Sequence, residues 1–256
     1  MRLMTLTLAL FLLSITFHSI TGQPPDRSHR PLDLPSGGGS SDEDSEDHPE
    51  LIHFFGEEYE GDAFFWCLDR SGLTKFIKCP PSNHCNPSPS PPCGEILLPE
   101  SLESIYELQE EFSLALSSLS SSAEFGVVVF SNEVLAWREI PMQADSLNKL
   151  SAINWVTGVM WGLESCIGPA MLKTINLANQ SNRQLKQIFL YADREPYCDG
   201  DRKGEESLKQ ITQANWKSIP IHTIYRFPDV QLEDDDGYRF MEQLAVSNKG
   251  TFRIQW

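Results

Sequence analysis

Phe64-Phe65-Trp66-Cys67-Leu68-Asp69-Arg70-Ser71-Gly72-Leu73-Thr74 is an apolar run that ends abruptly in a carboxylate, a hydroxyl and a glycine. A short apolar run without alternation reads as a strand buried on both faces. In open α/β sheets, ligands bind in the crevice beyond the carboxyl ends of the strands, so polar residues at that point often form a site. Asp69 and Ser71 both offer oxygen ligands, which suit a hard cation such as Mg²⁺. A second run, Gln187-Ile188-Phe189-Leu190-Tyr191-Ala192-Asp193, ends in the same way. Two strands that each deliver an aspartate to one rim point to a single site built from both.

Outward from these runs the chain alternates between two periodicities. Leu102, Ile105, Tyr106, Leu108, Phe112, Ala115, Leu116 and Leu119 recur at helical spacing behind Pro99 and Ser101. A continuous strand pattern follows at 125–130, with a short hairpin partner at 134–140. Helical patterns at 167–178 and 205–216 flank the strand around Ile188, and a strand (219–227), a helix (237–247) and a last short strand (251–254) close the chain. Buried strands separated by amphipathic helices predict an α/β fold, with a mostly parallel central sheet covered by helices on both faces. The segment from Pro80 to Cys93 is too rich in proline for helix or ladder. It reads as a Cys/Pro-rich insertion, about 76–97, placed after the first strand of the sheet.

Residues 1–22 have the pattern of a signal peptide: Arg2, an apolar run too short to span a bilayer, then small and polar residues up to Gly22. Residues 23–55 read as an acidic low-complexity linker built around Ser41-Asp42-Glu43-Asp44-Ser45-Glu46-Asp47. The domain itself is expected over 61–256. The chain is expected to be secreted or extracytoplasmic, with no membrane span once the signal is cleaved. A net charge of −16 argues against nucleic acid and against anionic membrane surfaces. All six cysteines follow the signal-like segment, and an even number in an exported chain favours disulfides. Cys79, Cys85 and Cys93 lack the paired Cys-x-x-Cys spacing of a zinc site. Asn179-Gln180-Ser181 is a glycosylation sequon.

Three segments carry a family resemblance. Asp69-Arg70-Ser71-Gly72-Leu73, Glu164-Ser165-Cys166-Ile167-Gly168-Pro169-Ala170 and Tyr191-Ala192-Asp193-Arg194-Glu195-Pro196 resemble, in order, the metal-site segments of a von Willebrand factor type A (vWA) domain. Asn248-Lys249-Gly250-Thr251-Phe252 is similar to the asparagine-glycine-glycine-threonine ending of bacterial-type members, and Pro220-Ile221-His222-Thr223-Ile224 resembles their penultimate strand. In that family an Asp-x-Ser-x-Ser motif, a threonine from a middle loop and an aspartate after the fourth strand hold the metal. The resemblance places Asp69, Ser71, Ser165 and Asp193 in those roles. Leu73 fills the third place of the first motif without offering an oxygen, and Arg194 stands where the family usually has glycine.

The resemblance therefore implies a degenerate metal-ion-dependent adhesion site, holding Mg²⁺ (or Mn²⁺ or Ca²⁺) weakly or not at all. It implies a binding domain that engages a protein ligand through the rim of the sheet, with the metal accepting an acidic side chain. A metal-independent binding protein that uses the cysteine-rich insertion is the alternative. A metal-dependent hydrolase is a third reading, although no Gly-x-Ser-x-Gly, His-Glu-x-x-His or phosphate-loop motif is present. Further expectations are a disulfide from the insertion to Cys166 or Cys198 that holds a lid at the rim, an unpaired Cys67, and a structural role for His222. Trp66, Trp155, Trp161 and Trp216 are expected in core and loop packing, and 234–237 as an acidic turn before a helix.

Overall fold

The computed structural model describes residues 49–71, 74–75, 96–97, 99–159, 162, 164–198, 204–226 and 236–255. Cys79, Cys85, Cys93, Leu73 and Trp161, and with them most of the insertion, lie outside the described residues.

A hairpin of β1 (Glu50–Phe54) and β2 (Glu57–Gly61) precedes the first strand of the main sheet, β3 (Ala63–Asp69). The two-residue strands β4 (Thr74–Lys75) and β5 (Ile96–Leu97) pair antiparallel across the insertion, and α1 (Pro99–Ser118) follows. Next come β6 (Glu124–Phe130), β7 (Val134–Ala136), β8 (Met142–Gln143), α2 (Ser146–Gly158), α3 (Ile167–Gln180) and β9 (Lys186–Ala192). The chain ends with α4 (Glu205–Ala214), β10 (Ile221–Arg226), α5 (Asp236–Ser247) and β11 (Phe252–Gln255).

The central sheet runs β11-β10-β9-β3-β6-β7, with β8 on the free edge of β6 beside β7. Its pairings from β11 to β6 are all parallel, and only β7 and β8 run against them. This is the α/β architecture expected from the alternation of buried strands and helices.

β3 lies in the middle and is buried along its whole length. Its side chains alternate between two cores because successive residues of a strand face opposite sides. Phe64, Trp66 and Leu68 enter a core closed by α1, α2 and the hairpin, through residues such as Phe112, Leu116, Val156, Ile52 and Phe54. Phe65 and Cys67 enter the opposite core, closed by Met171, Ile175 and Leu177 of α3, Ile211 of α4 and Leu244 of α5.

Besides the two-residue strands, a hairpin and a helix escape the sequence reading. Residues 50–54, assigned to the acidic linker by composition, form β1 and send Ile52 and Phe54 into the first core. The hairpin is acidic only on its outer face: Glu57, Glu58 and Glu60 are exposed, whereas Tyr59 is buried. Its turn places Phe55 at φ 48° and Gly56 at φ 74°. A positive φ costs a bulky residue roughly 1–2 kcal/mol. Phe55 is held there by stacking on Tyr191, with centroids 5.3 Å apart, and by its N–H donating to Glu111 Oε2 at 2.6 Å. The other missed element is α2. Leu147 and Leu150 face solvent while Ala152 and Val156 are buried, so no apolar stripe announces a helix; the Asp145 side chain caps it by accepting from the Asn148 N–H.

Candidate functional site

Parallel register levels the carboxyl ends of three strands. Asp69 of β3 stands beside Phe130 of β6, and Leu68 beside Tyr191 of β9, so Asp193 emerges next to the end of β3. Beyond that end the chain continues tied to its neighbours. The Arg70 N–H donates to Phe130 O at 2.7 Å, and Ser71 bridges to Gly162, whose N–H donates to Arg70 O at 3.1 Å. A side chain at 162 would collide with Ser131 and Asn132, so the approach of this loop requires glycine.

Ser165 arrives from the same loop, just before α3. Its backbone oxygen accepts from the Tyr197 N–H at 3.0 Å, and the next residue, Cys166, donates its N–H to Ser131 O at 3.2 Å. Cys166 is disulfide-bonded to Cys198. The loop carrying Ser165 and the loop after Asp193 are therefore joined by a hydrogen bond and a covalent bond.

Three of the four residues singled out in the sequence form one buried cluster, and the fourth lies beside it. Asp69 accepts from the Ser71 N–H at 2.7 Å through Oδ1 and from the Ser165 hydroxyl at 2.7 Å through Oδ2. Asp69, Ser71 and Ser165 are all buried. Burial raises the Asp69 carboxyl to about 7, and the Asp193 carboxylate adds to the rise. Burial also raises Asp193, against the lowering influence of Arg194. Arg194 Nε stands 3.3 Å from Asp193 Oδ1, so a cation of the chain already reaches that carboxylate.

The donor set fits a hard divalent ion. Two carboxylates and two hydroxyls converge, and the buried Ser71 hydroxyl lies by the Asp69 carboxylate, which it stabilises, without a well-aligned hydrogen bond. A second grouping does not fit: Glu164, Cys166 and Cys198 cluster within 4.8 Å, but the two sulfurs are bonded to each other and are not thiolate ligands.

The disulfide corrects the expected lid. With Cys166 and Cys198 joined to each other, neither is left to tie the insertion to the rim. Their loops are adjacent because β9 neighbours β3, a pairing that spacing along the chain does not reveal. Cys67 is free and buried, as expected. Trp66 is a core residue, whereas Trp216 is 72% exposed and packs in its loop against Lys217.

Arg70 was missed. It is fully buried between Asp69 and Ser71 in the chain and donates from Nη2 to Val159 O at 3.0 Å, holding the end of α2 to the loop after β3; burial lowers its guanidinium to about 10. Nothing in its sequence context distinguishes it from an exposed loop arginine.

No family model matches the chain. Among solved structures, a von Willebrand factor type A protein from Catenulispora acidiphila superposes with a TM-score of 0.58 at 12% identity, over 78% of this chain and 40% of that one. The fold is that of a vWA domain. The vWF domain of the type V pili tip protein Mfa5 from Porphyromonas gingivalis gives 0.51 at 9% identity, over 75% of this chain and 89% of that one. The pilus adhesin SpaC from Lactobacillus rhamnosus GG gives 0.52 at 10% identity, over 75% and 28%. A curated relative, human inter-alpha-trypsin inhibitor heavy chain H4, is 28% identical over 158 residues, 58% of this chain. The chain spans only 16% of the length of that relative. Among the described residues, no helix is long and apolar enough to cross a membrane.

Proposed function

We propose that this vWA domain is an exported binding module that engages a partner protein at the rim formed by Asp69, Ser71, Ser165 and Asp193, with a weakly held Mg²⁺ completing the contact. The observation that carries the reading is the buried cluster itself: the Ser71 and Ser165 hydroxyls both act on the Asp69 carboxylate, with Asp193 beside it, and burial holds both carboxyls above the ordinary range. Asp69 and Ser165 orient each other, and the Cys166–Cys198 bond fixes the loop that presents Ser165. A bound Mg²⁺ supplies positive charge and an open coordination position for a partner carboxylate.

Leu73 removes one oxygen from the motif and Arg194 competes for Asp193, so the affinity expected is low. Export is supported by the signal-like residues 1–22 and by the disulfide, a bond that persists in oxidising compartments. The structural neighbours include a pilus tip protein and a pilus adhesin, which supports a contact role outside the cell.

The Arg194–Asp193 pair favours a second reading, in which binding is metal-independent and falls to the insertion. A hydrolytic reading has less support. Ser165 donates to a carboxylate rather than to a histidine or lysine, and both ring nitrogens of His222 are occupied by Thr251 and Gln187. Thermal melts decide between the binding modes: Mg²⁺ or Mn²⁺ should raise the melting temperature and Asp69→Ala should abolish the rise. Equal melts with and without metal would favour the metal-independent mode.

A further inference from the structure

At the opposite end of the sheet the chain gathers positive charge. A cavity of about 440 Å³ opens between the loop leading into β9 (residues 181–187) and the turn leading into β10 (217–220). Arg183, Lys186 and Lys217 line it, and the described lining residues include no carboxylate. This happens in a chain with a net charge of −16.

The cations have structural duties that do not exhaust them. Lys186 is 8% exposed and donates from Nζ to Ser181 O at 2.5 Å, while Lys217 donates to Asn179 O at 2.8 Å. Both bonds satisfy the carbonyl end of α3, where cations are favoured. Each uses one of the three donors of an ammonium. Capping does not explain why two lysines converge on one cavity. Burial, then the Lys217 charge, holds the Lys186 ammonium below its usual range. The carboxylates behind the loop are engaged: Asp62 accepts from the N–H groups of Gln184 and Leu185, and Glu124 pairs with Arg183 at 3.5 Å.

The cavity wall is rigid and strained. Ser218 has φ 54°, a conformation that a non-glycine residue adopts at a cost. Buried Asn215 locks this turn, accepting from the Ile219 N–H at 3.0 Å and donating to Ile219 O at 2.8 Å and Asn248 Oδ1 at 2.9 Å. The exposed ring of Trp216 lies beside the turn, under the Lys217 ammonium at 5.3 Å.

We propose that this cavity is an oxyanion site that takes a sulfate or phosphate group, free or carried on a larger ligand, between Lys186 and Lys217. Such a group offers several acceptor oxygens to two ammoniums and relieves the like-charge contact. The site is independent of the rim and of any metal there.

Calorimetry on the full chain with inorganic sulfate, and separately with inorganic phosphate, tests it against chloride at equal ionic strength. Saturable binding of at least one of the two is expected, and Lys217→Gln should weaken it about tenfold. Lys217 is exposed and gives the fold only its bond to Asn179 O and its contact with Trp216, so the variant should stay folded and melt within a few degrees of the wild type. Lys209→Gln, an equal charge change on exposed α4, should leave binding unchanged. Absence of saturable heat with both anions, or equal losses in the two variants, overturns the proposal.

Discussion

The Ser165 hydroxyl donates a 2.7 Å hydrogen bond to Asp69 Oδ2 across 96 residues of chain, and both side chains are buried. This bond joins the end of β3 to the loop before α3, so each residue holds the other in place. Ser165→Ala leaves Asp69 Oδ2 without that donor in a buried setting and should cost about 1–3 kcal/mol. For a domain of this size that corresponds to a fall in melting temperature of roughly 2–12 °C, read by calorimetry in chelator. An unchanged melt would mean that the bond does not form in solution.

Asp69 makes a prediction of the opposite sign. Its folded carboxyl sits at about 7 against an ordinary 3.8, so the folded state favours the protonated form. The stability linked to this group is fully present below pH 3.8 and is lost as pH rises through 7. In chelator at pH 8, Asp69→Asn should therefore raise stability by an amount on the order of 1–3 kcal/mol, because the amide removes the charge facing Asp193. The gain should shrink toward pH 5. A variant less stable than wild type at pH 8 would show that the aspartate charge is compensated from within the chain.

His222 should produce an acid-side loss. Its Nδ1 accepts from the Thr251 N–H at 3.1 Å, and its other nitrogen lies 2.9 Å from Gln187 Oε1, so the neutral ring is held with the proton on Nε2. Burial lowers it to about 4 from 6.5. Its contribution is present above pH 6.5 and is lost as pH falls through 4, to a total of about 3 kcal/mol. Denaturant melts between pH 7 and pH 4 should show that slope, and His222→Gln should flatten it. The same slope in the variant would assign the loss to other groups.

The two kinds of cysteine should separate chemically. Burial raises the Cys67 thiol well above its ordinary range, so alkylation at Cys67 should wait for denaturant. Removing the Cys166–Cys198 bond, which closes a separation of 32 residues, should cost about 3–4 kcal/mol. Peptide mapping after labelling reads the first claim, and melts of Cys166→Ala/Cys198→Ala read the second. Rapid labelling of Cys67 in the native protein would contradict its burial in the second core.

The sheet was legible because β3, β6, β9 and β10 are buried on both faces and so read as unbroken apolar runs. The rim was legible because two such runs end in aspartate. The hairpin was hidden because Glu57, Glu58 and Glu60 give its solvent face the composition of a linker, although Ile52, Phe54 and Tyr59 alternate with polar residues. The helix α2 was hidden because Leu147 and Leu150 point outward. Arg70 and the Cys166–Cys198 pairing depend on which loops meet above the sheet, and that follows from strand order, which local sequence does not encode.

The most direct test of the rim as a cation-dependent contact site is titration with Mn²⁺, followed by the loss of the free-ion electron paramagnetic resonance signal. The comparison sets wild type against Ser71→Ala and Asp69→Asn. The account predicts saturable binding of one Mn²⁺ per wild-type chain, displaced by Mg²⁺, with Ser71→Ala about tenfold weaker and Asp69→Asn without measurable binding. Wild type that binds no Mn²⁺ at millimolar concentration, or binds it as tightly as both variants do, would contradict it.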